Sequence, residues 1–131
     1  TIKFTINNKM KLNNLITEYL SHKNIEESLD YLKDFINNYN NFIEDFFYIS
    51  FELNSIKELE LVITLLICII NKYNNFDSSL LNNINEDFSE IILDIPLANT
   101  YYDTILLSLL SNNIINKDIY DIICKKINLN K

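Results

Sequence analysis

Glu86, Glu90 and Asp94 are the residues whose type and spacing most clearly carry chemistry: three carboxylates four apart, running into the chain's only proline, Pro96. That spacing places neighbouring members of the row on one helix face, where each like-charged pair costs about 0.2–0.5 kcal/mol. Nothing close in sequence relieves them. From Tyr73 to Asn116 the chain carries Asp77, Glu86, Asp87, Glu90, Asp94 and Asp103 without a single lysine, against a net charge of -7 for all 131 residues. Such a row has two chemical uses. Glu90 and Asp94 as an acid–base pair would need environments that push their pKa values apart, which an exposed pair lacks. As a docking face, the row would speed association with a basic partner, restrict the choice of partner, and offer charge-assisted hydrogen bonds to arginine. A third and blander reading is an ordinary solvated helix face.

The other candidates for chemistry are few. His22 is the sole histidine and lies in a turn, where a plain surface histidine is the expected reading. Cys68 and Cys124 are scattered and read as buried free thiols in a reducing compartment, Cys68 the more firmly as core. With no glycine for a phosphate loop, no metal-ligand cluster and no nucleophile beside a base, the chain is not expected to be an enzyme or to hold a cofactor or metal. The acidic balance argues against direct binding to nucleic acid or anionic membrane. The longest apolar run, Leu61 to Ile70, falls short of the roughly 20 residues that span a bilayer, so a soluble protein is expected. The chain opens on Thr1 and is read as a segment of a longer protein, large enough for one domain.

The elements that position these residues are helical. Thr1 to Asn8 alternate apolar and polar, which suggests a short extended arm or linker over residues 1–10. From Lys11 onward Leu12, Leu15, Ile16, Tyr19 and Leu20 keep helical spacing, and Ser21 to Lys23 end the first helix. Asn24 is expected to cap the second, with Glu27 reaching back to the Asn24 N–H and Ile25, Leu29, Leu32, Phe35 and Ile36 as its stripe. A third helix, apolar around most of its circumference from Ile43 to Leu53, is expected to be buried on several sides. Its aromatic residues Phe46, Phe47, Tyr48 and Phe51 are read as core. Ser55 and Glu58 form a second capping box for a central fourth helix ending near Tyr73. Asp77 caps a fifth, which Pro96 stops. A sixth carries Tyr102, Ile105, Leu106, Leu109 and Leu110. Asn116 caps a seventh, with Ile119, Ile122, Ile123 and Ile127 facing inward. Seven helices with short links predict an all-α stack of antiparallel pairs over 11–131, either a bundle or a solenoid of the HEAT type, with no repeat legible in the residues themselves.

Two stretches resemble a known family. Leu15 to Leu20, a short turn, then Asn24 to Ser28 with Leu32-Lys33 resembles the opening helical pair of the MA-3 domain. The family usually has alanine where this chain has Ser28. Glu90-Ile91-Ile92-Leu93-Asp94-Ile95-Pro96, with Ala98 and the helix that follows, is similar to that family's acidic-x-x-Leu-Asp-Val-Pro segment. The order and separation of the two stretches match as well. The resemblance implies a HEAT-like adaptor domain, without catalysis, that binds a DEAD-box RNA helicase of the initiation factor 4A type and modulates translation initiation in the cytoplasm. Carried over to this chain, it makes Glu90, Asp94 and Pro96 partner-binding residues, with Glu at position 90 where the family has a shorter acid; the four-residue spacing of the acidic row adds Glu86 to them. An alternative within the same family is a scaffold domain of a splicing or nucleolar protein, which would be nuclear and bind another partner.

Overall fold

The computed structural model describes residues 2–74 and 76–127, with side chains from residue 7 onward, and is all-helical over them. Seven α-helices follow one another: α1 (Ile2–His22), α2 (Ile25–Leu32), α3 (Phe42–Phe51), α4 (Ile56–Tyr73), α5 (Asn82–Asp94), α6 (Ala98–Ser111) and α7 (Lys117–Lys126). Short 3-10 turns at Ile36–Asn38 and Ser78–Leu81 lead into α3 and α5. The helices stack as antiparallel pairs. α1 packs on α2, α3 and α4, while α6 packs on α3, α4, α5 and α7, so the α3–α4 layer lies between the first pair and the last three helices. This is the seven-helix all-α stack that the spacing predicts, consistent with the HEAT-like form.

Three readings of the local structure need correction. The extended arm expected at the amino end is helical from Ile2. A lone strand leaves its N–H and C=O groups unpaired, and among the described residues there is no strand to pair with, whereas a helix closes its own hydrogen bonds. The second helix stops at Leu32, so Phe35 and Ile36 pack from a turn and a 3-10 segment instead of a helical stripe. Ile122, expected inside, is 64% exposed; α7 instead turns Tyr120, Ile123 and Cys124 toward α6 and the core.

Helix ends follow the expected chemistry only in part. Ser55 Oγ accepts from the Glu58 N–H at 3.2 Å, but the Glu58 carboxylate takes the Asn54 N–H and not that of Ser55 itself. Asn24 Oδ1 accepts from the Glu27 N–H at 3.1 Å, yet the Asn24 N–H donates to His22 Nδ1 at 2.9 Å, so Glu27 does not close a box. Asn116 caps α7 through the Ile119 N–H at 2.9 Å. Without glycine, the left-handed C-terminal caps fall to Lys23 (φ 56), Asn74 (φ 48) and Asn113 (φ 61). Their N–H groups return to Tyr19, Ile70 and Leu110, and Ile114 adds a bond to the Leu109 carbonyl that completes a Schellman closure on α6.

An aromatic cluster joins α3, α5 and α6. Phe51 has the rings of Phe47, Tyr102 and Phe88 at 6.4, 5.7 and 6.4 Å, the closest of them nearly edge-on at 74°. Tyr102 is fully buried and donates its hydroxyl to Asn85 Oδ1, satisfying the one polar side chain that α5 buries there. Burial, reinforced by the Cys124 and Tyr48 groups, pushes the Tyr102 phenol well above its ordinary 10.0. In the unfolded chain the phenol titrates near that ordinary value. Its contribution to stability is therefore complete below about pH 10 and is lost as pH climbs toward the folded value. Urea titrations at about pH 9 and about pH 11 should show stability falling with pH, by up to about 1.4 kcal/mol per unit for this group, and Tyr102→Phe should reduce that slope, leaving the part that comes from the Tyr39 phenol, which burial and Asp45 also push up.

Candidate functional site

The acidic row is built by how α5 begins and ends. Asp77 caps not α5 itself but the 3-10 turn before it, accepting from the Ser79 N–H at 2.9 Å, and that hydrogen bond holds its carboxyl below the usual range. The turn drives Leu81 into the core, and Ile84, Phe88 and Ile91 continue inward along α5. The opposite face, with Glu86, Asp87, Glu90, Leu93 and Asp94, is left exposed. Asp94 is the last helical residue. Ile95, kept out of the helical region by the following proline at φ -131 and ψ 82, closes the helix by donating to the Ile91 carbonyl at 2.8 Å. Pro96 stands exposed in the turn, and fully buried Ala98 begins α6.

Glu86, Glu90 and Asp94 thus lie together on one exposed face, with Pro96 just beyond it. Among the described residues none of the three carboxylates has an ion pair or a hydrogen-bonded cation. Asp94 carries a second unfavourable term, because a carboxylate on the last turn faces the negative end of the helix dipole, about 0.3–1 kcal/mol at a surface, and α5 has no basic residue there.

The structure adds residues that reading the chain did not single out. Leu93 is 80% exposed and Leu97 54% exposed, flanking Asp94 and Pro96, so an apolar pair rims the acidic row. In the sequence they pass for helix-face leucines. Acids on α3 widen the surface. Asn83 donates to Glu44 Oε2 at 3.0 Å, tying α5 to α3. The half-buried Tyr48 phenol is pushed up first by burial and then by Glu44, Asp87 and Asp45, so carboxylates from two helices gather near it. No spacing rule brings Glu44 to α5; only helix packing does.

The remaining candidates are placed as follows. His22 is exposed and acts as a local acceptor. Both cysteines are free, but the expected order is reversed: Cys124 is buried, while Cys68 is partly exposed beside an apolar cleft of about 290 Å³ between α4 and α6, lined also by Ile63, Ile67 and Ser108. Phe46, Phe47 and Phe51 are core, with Tyr48 at its edge. Among the described residues no cluster of His, Cys, Asp and Glu is arranged to hold a metal ion, and no helix is long and apolar enough to cross a membrane.

No protein-family model matches the chain, and neither a curated protein nor a solved structure is significantly similar to it.

Proposed function

We propose that the outer face of α5 is the binding surface of an adaptor domain of the MA-3 kind, which engages a DEAD-box RNA helicase of the initiation factor 4A type and modulates translation initiation without catalysis of its own. The observation that carries this reading is the uncompensated row Glu86, Glu90 and Asp94, exposed beside Pro96 and rimmed by Leu93 and Leu97. A free domain gains nothing by keeping three carboxylates in line, the last against its own helix dipole. A basic partner would convert these costs into charge-assisted hydrogen bonds, with the two leucines supplying apolar contact.

Titration of the domain with the helicase's two lobes at increasing salt tests the reading. Affinity should fall steadily as the Debye length shrinks from about 10 Å at 0.1 M toward about 3 Å at 1 M. A flat response would remove the acidic row from the interface. It would shift the contact to Leu93 and Leu97, and not to the aromatic residues, since Phe46, Phe47 and Phe51 are buried.

A further inference from the structure

We propose that His22 makes the turn between α1 and α2 a pH-sensitive switch, in which protonation of its ring transfers the Asn24 N–H from the imidazole to the Glu27 carboxylate. The Asn24 N–H donates to His22 Nδ1 at 2.9 Å. A ring nitrogen accepts only while it carries a lone pair, so this bond belongs to a neutral imidazole with its proton on Nε2. Imidazolium has two N–H groups and no acceptor, and imidazole is the side-chain group that ordinarily changes charge between about pH 5 and about pH 8. Protonation by solvent therefore breaks the bond and sets a cation against the N–H it held.

A second acceptor is already within reach. Asn24 is the N-cap of α2, and its Oδ1 accepts from the Glu27 N–H at 3.1 Å, which is one half of a capping box. The other half is a glutamate at that third position reaching back to the N–H of the cap. Glu58 occupies the same position on α4, and its carboxylate does swing back to a backbone N–H, that of Asn54, at 3.2 Å. Glu27 is exposed and lines the same cleft as His22, so only the imidazole stands between its carboxylate and a closed box.

The turn brings the ring to the contested N–H. Lys23 is left-handed at φ 56 and its own N–H returns to the Tyr19 carbonyl at 2.6 Å, which folds the chain back and sets His22 beside Asn24. The ionisable groups lining the cleft with His22 are Glu18 from α1, Glu27, Asp30 and Tyr31 from α2, and Asp34 from the turn beyond. Among the described residues α3 and α4, which also pack on α1, add none to it. Asp30 is engaged by Lys33 at 3.0 Å. Glu18 lies one helical turn before His22, the order in which an acid and a following cation attract. The imidazolium thus turns to Glu18, and Glu27 takes the cap. With the ring neutral, a side chain of α1 ties the two helices together across the turn; with the ring charged, α2 is capped by its own residues and that tie is gone.

The test is an NMR titration of the 131-residue chain between about pH 8 and about pH 5, following the His22 ring nitrogens, the Asn24 amide and the Glu27 carboxyl carbon. The expected result is a ring protonated on Nε2 at the upper end, with the Asn24 and Glu27 signals shifting in step as the ring takes up its second proton. In Glu27→Ala the Asn24 signal should reach a different acid end point, that of an N–H facing water. In His22→Ala its pH response should be lost, with the signal held near the parent's acid end point. A ring protonated on Nδ1 at the upper end would overturn the proposal, as would an Asn24 amide indifferent to the ring or one that still responds in His22→Ala. The same acid end point in Glu27→Ala as in the parent would overturn the exchange, because water and not Glu27 would then receive the N–H. The outer face of α5 takes no part, so the outcome is independent of the function proposed above.

Discussion

Phe51→Ala should cost about 3–5 kcal/mol of stability, the range for removing a fully buried phenylalanine ring and leaving a cavity. Phe51 is 1% exposed and sits where α3 meets α5 and α6, against Phe47, Phe88 and Tyr102. Those edge-on contacts add to the transfer term, and the surrounding rings are too rigid to collapse into the space. Since a domain of this size holds roughly 5–15 kcal/mol in all, the variant should be close to unfolding. Urea unfolding followed by circular dichroism measures this through the shift in midpoint. A loss under about 1 kcal/mol would mean that the aromatic cluster does not hold α5 in place.

Asp94→Lys should move binding and stability in opposite directions. On the proposed function, affinity for the helicase should fall by roughly 10-fold to 100-fold, because a charge-assisted contact worth about 1.5–3 kcal/mol would be lost and a like charge set against a basic partner. The free domain should become slightly more stable, by about 0.5–1 kcal/mol. Lysine relieves the repulsion from Glu90 and suits the carboxyl end of α5, where no basic residue now stands. Calorimetric titration and a thermal melt on the same sample read both effects. Unchanged affinity would remove Asp94 from the contact. Lowered affinity with lowered stability would indicate a damaged fold and not a lost contact.

The acidic row was legible because the four-residue spacing of Glu86, Glu90 and Asp94 and the stop at Pro96 are local properties of the chain. Its surroundings were not. Leu93 and Leu97 have the residue type of core positions, and only the packing of α5 and α6 leaves them in solvent. Ile122 misled for the same reason, since its spacing fits a stripe that α7 rotates away from the core. The cap at Asn24 was foreseen from residue type, but the partner of its N–H was not. His22 reaches it because Lys23 adopts a left-handed conformation, which residue type gives no cause to expect outside glycine and asparagine.

The amino-acid sequence by itself determined the all-α fold from Lys11 onward, the stop of the fifth helix at Pro96, the caps at Asn24, Ser55 and Asn116, and a lysine-free acidic face on the fifth helix. Each of these rests on 3.6-residue periodicity, on capping chemistry or on the absence of a donor in proline, and these interactions reach no further than about four residues. Only the tertiary structure decided which side of each helix met another. That choice brings Glu44 of α3 onto Asn83 of α5 and buries Tyr102 on Asn85. Contacts between residues distant in the chain depend on how whole helix faces pack, and no local spacing encodes that.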